Sequence, residues 1–154
     1  MVALGIPEKK TDRRENRGFP AFFQKGGDKM TLQEAIDITD EMKPNTMSRK
    51  LKIKGINEIE GIIHSELVMT HEHAEEEETR PVYTEDTDPG TALIAQEPYD
   101  MVYVYWLMKN IDMQNQEDER YNIDALHYNE AWNELANMWT RTKMPIQKTR
   151  EFRI

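Results

Sequence analysis

The last third of the chain carries apolar side chains every three or four residues, the spacing that one face of an α-helix presents to a neighbouring helix. This pattern predicts a helix from about Glu119 to Arg141. A tryptophan in the segment before it completes an apolar seam between two predicted helices. The residues of this core seam are Trp106, Tyr121, Tyr128, Trp132, Leu135 and Trp139.

The helix before this one is predicted to carry Pro98 in its first turn, where a helix needs no N–H donor. Residues 99–113 are apolar on two sides, which is typical of a helix in the middle of a bundle. The polar stretch at residues 114–119 indicates the bend that joins the two helices.

Two further helices are predicted in the first half of the chain. Thr31 and Glu34 have the spacing of a capping box, in which each side chain accepts a hydrogen bond from the other residue's backbone, so the first helix should begin at Thr31. Pro44 should end it, and Asn45 should cap a second helix that continues to about Met69.

The second predicted helix contains two glycines, Gly55 and Gly61, among isoleucines at near-helical spacing. Glycine weakens a helix interior by about 1 kcal/mol relative to alanine. We therefore interpret both glycines as positions where another helix approaches closely.

Residues 71–97 form a polar interruption after these helices. The run at residues 75–78 consists of four glutamates and is expected in solvent, because a buried carboxylate without a partner is costly. Residues 81–84 and 91–95 flank a turn-rich segment at residues 86–90 and predict a small hairpin. The predicted fold is therefore mainly α: a small four-helix domain with a short β-hairpin insertion between helices 2 and 3.

The predicted domain covers residues 31–145, between an extended N-terminal arm at residues 1–30 and a C-terminal tail at residues 146–154. The net charge is −9, but the arm holds seven Lys/Arg against four Asp/Glu. Residues 141–154 hold five against one, whereas residues 71–100 hold one Arg against ten acidic residues. Such blocks indicate solvated or partner-facing segments, and an acidic folded part disfavours a nucleic-acid-binding surface.

The 154 residues are 38% hydrophobic and 32% charged, which indicates a core that long arms or partner chains complete. The chain contains no cysteine, which excludes a disulfide framework and a thiolate metal site. Neither a signal peptide nor an apolar run of about 18 residues is recognisable, so a soluble protein made in the cytosol, without a membrane partner, is expected.

Candidate chemistry is sparse. His64, His71 and His73 lie near the glutamates, and imidazole and carboxylate are ligands for zinc or manganese. His71 and His73 are two residues apart, a spacing that no helix places on one face, so a solvated loop is the favoured interpretation. The sequence shows no nucleophile elbow, phosphate-binding glycine loop or zinc-protease motif. We therefore predict no catalytic residue, no metal, no cofactor and no enzymatic activity.

One block of residues is distinctive. It comprises Glu97-Pro98-Tyr99-Asp100, Tyr105-Trp106-Leu107, Ile111-Asp112, Arg120-Tyr121-Asn122, Asn129-Glu130-Ala131-Trp132, Ala136-Asn137 and Arg141-Thr142-Lys143-Met144-Pro145. This block resembles the small neck proteins of tailed bacteriophages, the head–tail connector or adaptor family. The similarity covers about residues 45–145 in the order of elements.

The resemblance implies a structural virion protein of the neck, at the head–tail interface, that is assembled in the host cytoplasm. Copies of such a protein form a homo-oligomeric ring, usually a dodecamer. One side of the ring docks on the portal protein, and the other meets a stopper or tail-completion protein. The passing double-stranded DNA is not bound sequence-specifically.

Three groups of residues are candidates for the contacts of this ring. The portal-contact candidates combine charge with an aromatic anchor and are Lys148, Arg150, Phe152 and Arg153. The arm candidates, which either fold back on their own core or lie on a neighbouring subunit, are Phe19, Phe22 and Phe23. The candidates for a channel lining or a ring edge, whose charge would repel DNA phosphates, are Glu75, Glu76, Glu77 and Glu78.

Two alternative functions stay open. One is another neck, head-completion or tail-completion protein of the same virion. The other is a helical partner-binding regulator outside the virion, which should be monomeric or dimeric and should not respond to portal protein. An enzyme would need a cleft that carries His64, His71 or His73 with a metal.

Overall fold

The capping box at Thr31 starts the first helix, as the sequence predicts. The structure is a computed structural model, and it describes residues 29–147. Helix α1 spans Leu32–Met42. The Glu34 N–H donates to Thr31 Oγ1 at 3.2 Å, and the Thr31 N–H donates to Glu34 Oε2 at 2.8 Å. The apolar face of α1 lies in the core.

Helix α2 spans Arg49–Ile63 and continues as one π-helical turn at His64–Val68. Ser48 caps it and accepts a hydrogen bond from a backbone N–H of the first turn at 3.3 Å. The prediction that Asn45 is the cap is wrong. Asn45 Oδ1 accepts instead from the Met47 N–H at 2.9 Å, since an asparagine side chain readily closes a turn two residues on. The helix begins only after that turn.

Helix α3 spans Met101–Asn115, and helix α4 spans Asp118–Thr142. Pro98 lies before α3 and not in its first turn, so that prediction is wrong. The N–H of the residue after Pro98 donates to the Gln96 carbonyl at 2.8 Å and closes a separate turn there. The predicted bend between the last two helices is present, and Gln116 in it has a left-handed conformation with a φ of 60°.

Helix α3 is central in the domain. It packs against α1, α2 and α4; the side with Val104, Leu107 and Ile111 is buried, whereas the side with Tyr103 and Trp106 is only partly buried and ends at Met113, which is 62% exposed. The predicted central position of this helix is confirmed. Its fully buried residues are Val102, Tyr103, Val104, Leu107 and Asp112.

Gly55 lets α2 approach α3. A Cβ atom at this position would lie 2.8 Å from Leu107 Cδ2 and 3.3 Å from Asn110 Nδ2, both on α3. The predicted close approach of another helix is confirmed here. At Gly61 the prediction is wrong: the neighbour is the side chain of Arg80, which lies outside the helices, and a Cβ atom at Gly61 would lie 2.6 Å from its Cζ.

Strand β1 at Lys29–Thr31 and strand β2 at Ala92–Gln96 form a two-stranded antiparallel sheet. A small antiparallel sheet is therefore confirmed, but residues 81–84 are not one of its strands. They lie along α2, where the Tyr83 N–H donates to Asn57 Oδ1 at 2.8 Å and Asn57 Nδ2 donates to the Tyr83 carbonyl at 2.8 Å. Because a side chain of α2 satisfies these backbone groups, β2 pairs with β1 instead.

After α4 the chain returns to the end of α2. The Glu72 N–H donates to the Met144 carbonyl at 2.8 Å, and the Ile146 N–H donates to the Thr70 carbonyl at 2.9 Å. An isolated antiparallel bridge lies between these two hydrogen bonds. The end of α4 is thereby fixed against the segment that follows α2.

Candidate interaction surfaces

The apolar seam between α3 and α4 is most deeply buried near the end of α4. Leu135 is fully buried there, and Trp139 is 6% exposed. The rings of Trp106 and Tyr128 lie 5.1 Å apart between centroids, and those of Tyr128 and Trp132 lie 6.5 Å apart. The half-buried seam residues are Trp106, Tyr121, Tyr128 and Trp132. The aromatic rings therefore pack the two helices together along a partly exposed line.

Lys109 lies among these rings and was not predicted to be there. Its Nζ lies 3.8 Å from the ring centroid of Trp106, 5.0 Å from that of Tyr128 and 6.0 Å from that of Tyr121. Burial lowers the pKa of Lys109. The negative faces of the rings stabilise the ammonium that burial disfavours. The sequence signal is the spacing of three between Trp106 and Lys109, which places both on one helix face.

The three candidate histidines contact the backbone. His64 Nε2 donates to the Glu77 carbonyl at 2.8 Å. His71 Nδ1 donates to the Leu67 carbonyl at 2.9 Å, and His73 Nδ1 donates to the carbonyl of His71 at 2.7 Å. In the part of the chain that the structure describes, no three histidine, aspartate or glutamate side chains converge as a metal ion requires.

The glutamate run forms a short 3₁₀ turn, Glu75–Glu78, next to the end of α2. Its residues are exposed except for Glu77, which is half-buried. The Ala74 N–H donates to Glu77 Oε2 at 3.0 Å and lowers the pKa of this carboxyl. Lys143, whose Nζ lies 3.8 Å away, and Lys29 lower it further. We call this element the acidic turn.

Two groups of predicted contact residues lie outside the described residues. They are the arm residues Phe19, Phe22 and Phe23 and the tail residues Lys148, Arg150, Phe152 and Arg153. Their contacts stay predictions.

A buried carboxylate that was not predicted links α2 to β2 and α3. Glu60 is fully buried, and its Oε1 accepts hydrogen bonds from the Ile94 N–H at 3.0 Å and from the Tyr103 hydroxyl. Its Oε2 accepts from the Tyr83 hydroxyl at 3.0 Å. The Tyr103 oxygen also accepts from the Ala95 N–H at 2.8 Å. Burial raises the pKa of Glu60, although the three donors favour its charged form.

A second buried cluster joins the end of α1 to α3 and α4. Lys43 Nζ donates to Asp112 Oδ1 and to Asp124 Oδ2. Asp112 is fully buried and Asp124 is 6% exposed. Burial raises the pKa of Asp112 even though the hydrogen bond from Lys43 opposes this shift. The cluster fixes three helices to one another.

The outward face of α4 carries an exposed apolar pair. Ile123 is 56% exposed and Leu126 is 57% exposed. Residues three apart on a helix are neighbours on one face, so these side chains lie next to each other. A neighbouring protein that covered both side chains would remove their apolar surface from water, which is favourable.

The first turns of α2 carry the opposite charge to the acidic turn. Lys50 and Lys54 are exposed, and Leu51 between them is 47% exposed. These residues border a groove of about 500 Å³ that reaches Tyr83 and Glu85 on the loop after the acidic turn. We call this surface the basic groove.

No protein-family model, curated protein or solved structure matches this chain. Among residues 29–147, no helix combines the length and the apolar character that crossing a bilayer requires. The function is therefore inferred from the two charged surfaces, the apolar pair and the sequence resemblance.

Proposed function

We propose that the protein is a structural subunit of a tailed-phage virion, a head–tail connector or adaptor. Copies of it assemble as a ring between the portal and the tail or stopper proteins. The observation that carries the proposal is the exposed apolar pair Ile123 and Leu126 on α4. In a single copy this pair faces water, whereas a neighbouring protein in an assembly would cover it.

The protein proposed here is not an enzyme. A catalytic acid or base has to reach its substrate, and two of the carboxylates with raised pKa values, those of Glu60 and Asp112, are instead enclosed in the core. Glu60 and Asp112 are fully buried. Glu60 accepts its hydrogen bonds from tyrosines and a backbone N–H, and Asp112 accepts from Lys43. These groups support packing between helices, as a structural subunit requires.

In this proposal the ring gives the genome a passage without sequence-specific binding. The acidic side chains at Glu75–Glu78 are candidates for a channel lining, where carboxylates would repel the phosphates of DNA, or for a ring edge. The portal contact is assigned to the basic tail with Phe152, because charge steers the encounter and an aromatic side chain anchors it.

Electron microscopy of the chain mixed with the portal protein of the same phage tests the proposal. We expect rings of this chain that are coaxial with the portal. A chain that stays monomeric with and without portal contradicts the proposal and favours a partner-binding regulator.

Replacing the apolar pair tests the observation behind the proposal. The variant Ile123→Ser with Leu126→Ser should lose ring formation while its circular dichroism stays that of a helical protein, because both side chains are exposed. The matched control, Asn133→Ser with Asn137→Ser, changes exposed polar positions about two to three turns further along the same helix and should assemble normally. Equal assembly by both variants would exclude the apolar pair as a contact.

A further inference from the structure

The basic groove and the acidic turn lie at opposite ends of α2. Lys54 is in the second turn of this helix, and His64 at its far end donates to the carbonyl of Glu77 in the acidic turn at 2.8 Å. The ten residues from Lys54 to His64 span about 15 Å along the helix axis. The Debye length at physiological salt is about 8 Å. The two charged groups therefore do not neutralise each other within one copy.

The basic groove is suited to an acidic occupant. Within residues 29–147, neither Lys50 nor Lys54 forms an ion pair. Between and beside them, apolar surface is exposed: Leu51 is 47% exposed, and Val82 on the adjoining loop is 67% exposed. An occupant that supplies carboxylates and covers this apolar surface would satisfy both features.

The exposed glutamates of the acidic turn have the same spacing as the exposed lysines of the basic groove. Glu75 and Glu78 are exposed, and positions three apart in a 3₁₀ turn eclipse each other, so both carboxylates project from one side about 6 Å apart along the axis. Lys50 and Lys54 are four apart on an α-helix, which also gives about 6 Å along the axis and one shared face. The two pairs can meet one to one.

We propose that the acidic turn of one copy docks in the basic groove of the next copy. Such a contact joins two different surfaces of the same chain, and contacts of this heterologous kind generate rings when the rotation between copies closes. The choice of a second copy as the occupant rests on the proposed function. The contact places the acidic turn at the edge between subunits and not on the channel wall.

Reversing the charge on each surface separately tests the contact. One variant carries Lys50→Glu and Lys54→Glu, and the other carries Glu75→Lys and Glu78→Lys. Each variant alone brings like charges together, so its self-association, measured by sedimentation velocity and native mass spectrometry, should weaken by about tenfold or more. A control with Glu41→Lys and Glu119→Lys reverses two exposed charges elsewhere and should associate like the wild type.

Mixing the two variants gives a sharper result. In the mixture, the acidic groove of the first variant can bind the basic turn of the second, and the basic groove of the second can bind the acidic turn of the first. The mixture should therefore recover the association that neither variant shows alone. In native mass spectra the recovered assemblies should contain the two chains in equal numbers. A mixture that stays as weakly associated as its components overturns the proposed contact.

A cross-linking experiment identifies the occupant directly. The chain has no cysteine, so Leu51→Cys gives one attachment point for a photo-reactive maleimide in the groove. In an equal mixture of light-isotope and heavy-isotope copies, the captured peptide should contain residues 75–78. Because copies pair at random, it should carry the other isotope label in about half of the captures, whereas capture within one copy would always give the same label. Capture of residues 1–28, or of a peptide from the same copy, overturns the proposal.

Failure of this contact and failure of the ring proposal have different signatures. Wild-type rings together with unimpaired association of both charge variants would overturn the contact and leave the connector proposal intact. A wild-type chain that stays monomeric alone and with portal protein overturns both.

Discussion

Glu60 joins α2 to β2 and α3, so its protonation state affects the stability of the whole domain. Burial raises the pKa of Glu60 in the folded protein above its ordinary value of 4.5. Between these two pKa values the folded state binds more protons at this site than the unfolded chain does. The contribution of Glu60 to the free energy of unfolding therefore falls as the pH rises through this window and is constant above it.

Comparison of the wild type with Glu60→Gln should show this dependence. The free energy of unfolding of the wild type, minus that of Glu60→Gln, should decrease as the pH rises from 4.5 and should then stay constant. Each unit of pKa shift corresponds to about 1.4 kcal/mol. Urea unfolding at a series of pH values, followed by tryptophan fluorescence, measures the difference.

Glu58→Gln is the control, since Glu58 is exposed on the same helix, and its effect should stay within about 0.5 kcal/mol at every pH. If the difference for Glu60→Gln moved in favour of the wild type as the pH rose, the assignment of burial as the dominant cause would be wrong.

The position of Glu60 in the sequence indicates that it is buried, although the isoleucines around it make this segment look purely apolar. Glu60 follows Ile59 and lies one turn after Ile56, so it occupies the side of α2 that the pattern marks as buried. A carboxylate at such a position indicates a buried polar contact. Its donors, Tyr83 and Tyr103, lie 23 and 43 residues away, and no local pattern identifies partners at that separation.

At the scale of the helix, replacing the two glycines of α2 with alanine should change the free energy of unfolding in opposite directions. Alanine favours a helix interior over glycine by about 1 kcal/mol at either position. In Gly55→Ala the new Cβ would lie 2.8 Å from Leu107, which is fully buried, so overpacking should outweigh this gain and lower the free energy of unfolding by about 1 kcal/mol. In Gly61→Ala it meets the guanidinium of Arg80, an exposed side chain that can move aside, so stability should rise.

Thermal unfolding of the two single variants side by side measures both effects, and each variant is the control for the other. Shifts of the same sign and size would show that helix propensity alone decides and that the approach of α2 to α3 at Gly55 tolerates a methyl group.

Elements set by neighbouring residues were predictable, and elements set by distant residues were not. The capping box at Thr31 depends on residues three apart, and both of its hydrogen bonds are present. The pairing of β2 depends on residues 29–31, which are about 60 positions away in the chain. Residues 81–84 have a strand-like composition, but Asn57 on α2 takes the backbone hydrogen bonds that a hairpin would need.

At the scale of the whole molecule, deletion of residues 148–154 should separate docking from folding. The Ile146 N–H bonds to the Thr70 carbonyl, so a chain that ends at residue 147 keeps this contact and its helical content. The deletion removes Lys148, Arg150 and Arg153, and docking on portal protein should be lost. Pull-down with portal protein measures docking, and circular dichroism measures the helices.

A Gly/Ser segment of the same length in place of residues 148–154 is the control for chain length and should behave like the deletion. Docking that survives in both variants would contradict the assignment of the tail as the portal contact.

The acidic half of the candidate contact was predictable, whereas the basic half was not. Four consecutive glutamates are visible in the sequence and are exposed except for the half-buried Glu77. Lys50 and Lys54 are visible too, but the groove beside them needs Tyr83 and Glu85 as its opposite wall, and folding brings that wall from about 30 residues away. Concave surfaces built from separate segments arise only in three dimensions.

The position of Glu77 has a consequence for the two ends of the chain. Lys29, at the start of the described domain, and Lys143, after its last helix, both act on this one carboxylate. The polypeptide thus enters and leaves the helices beside the same turn. In a closed circle of identical copies, Lys29 and Lys143 of every copy would therefore lie near a single level along the symmetry axis.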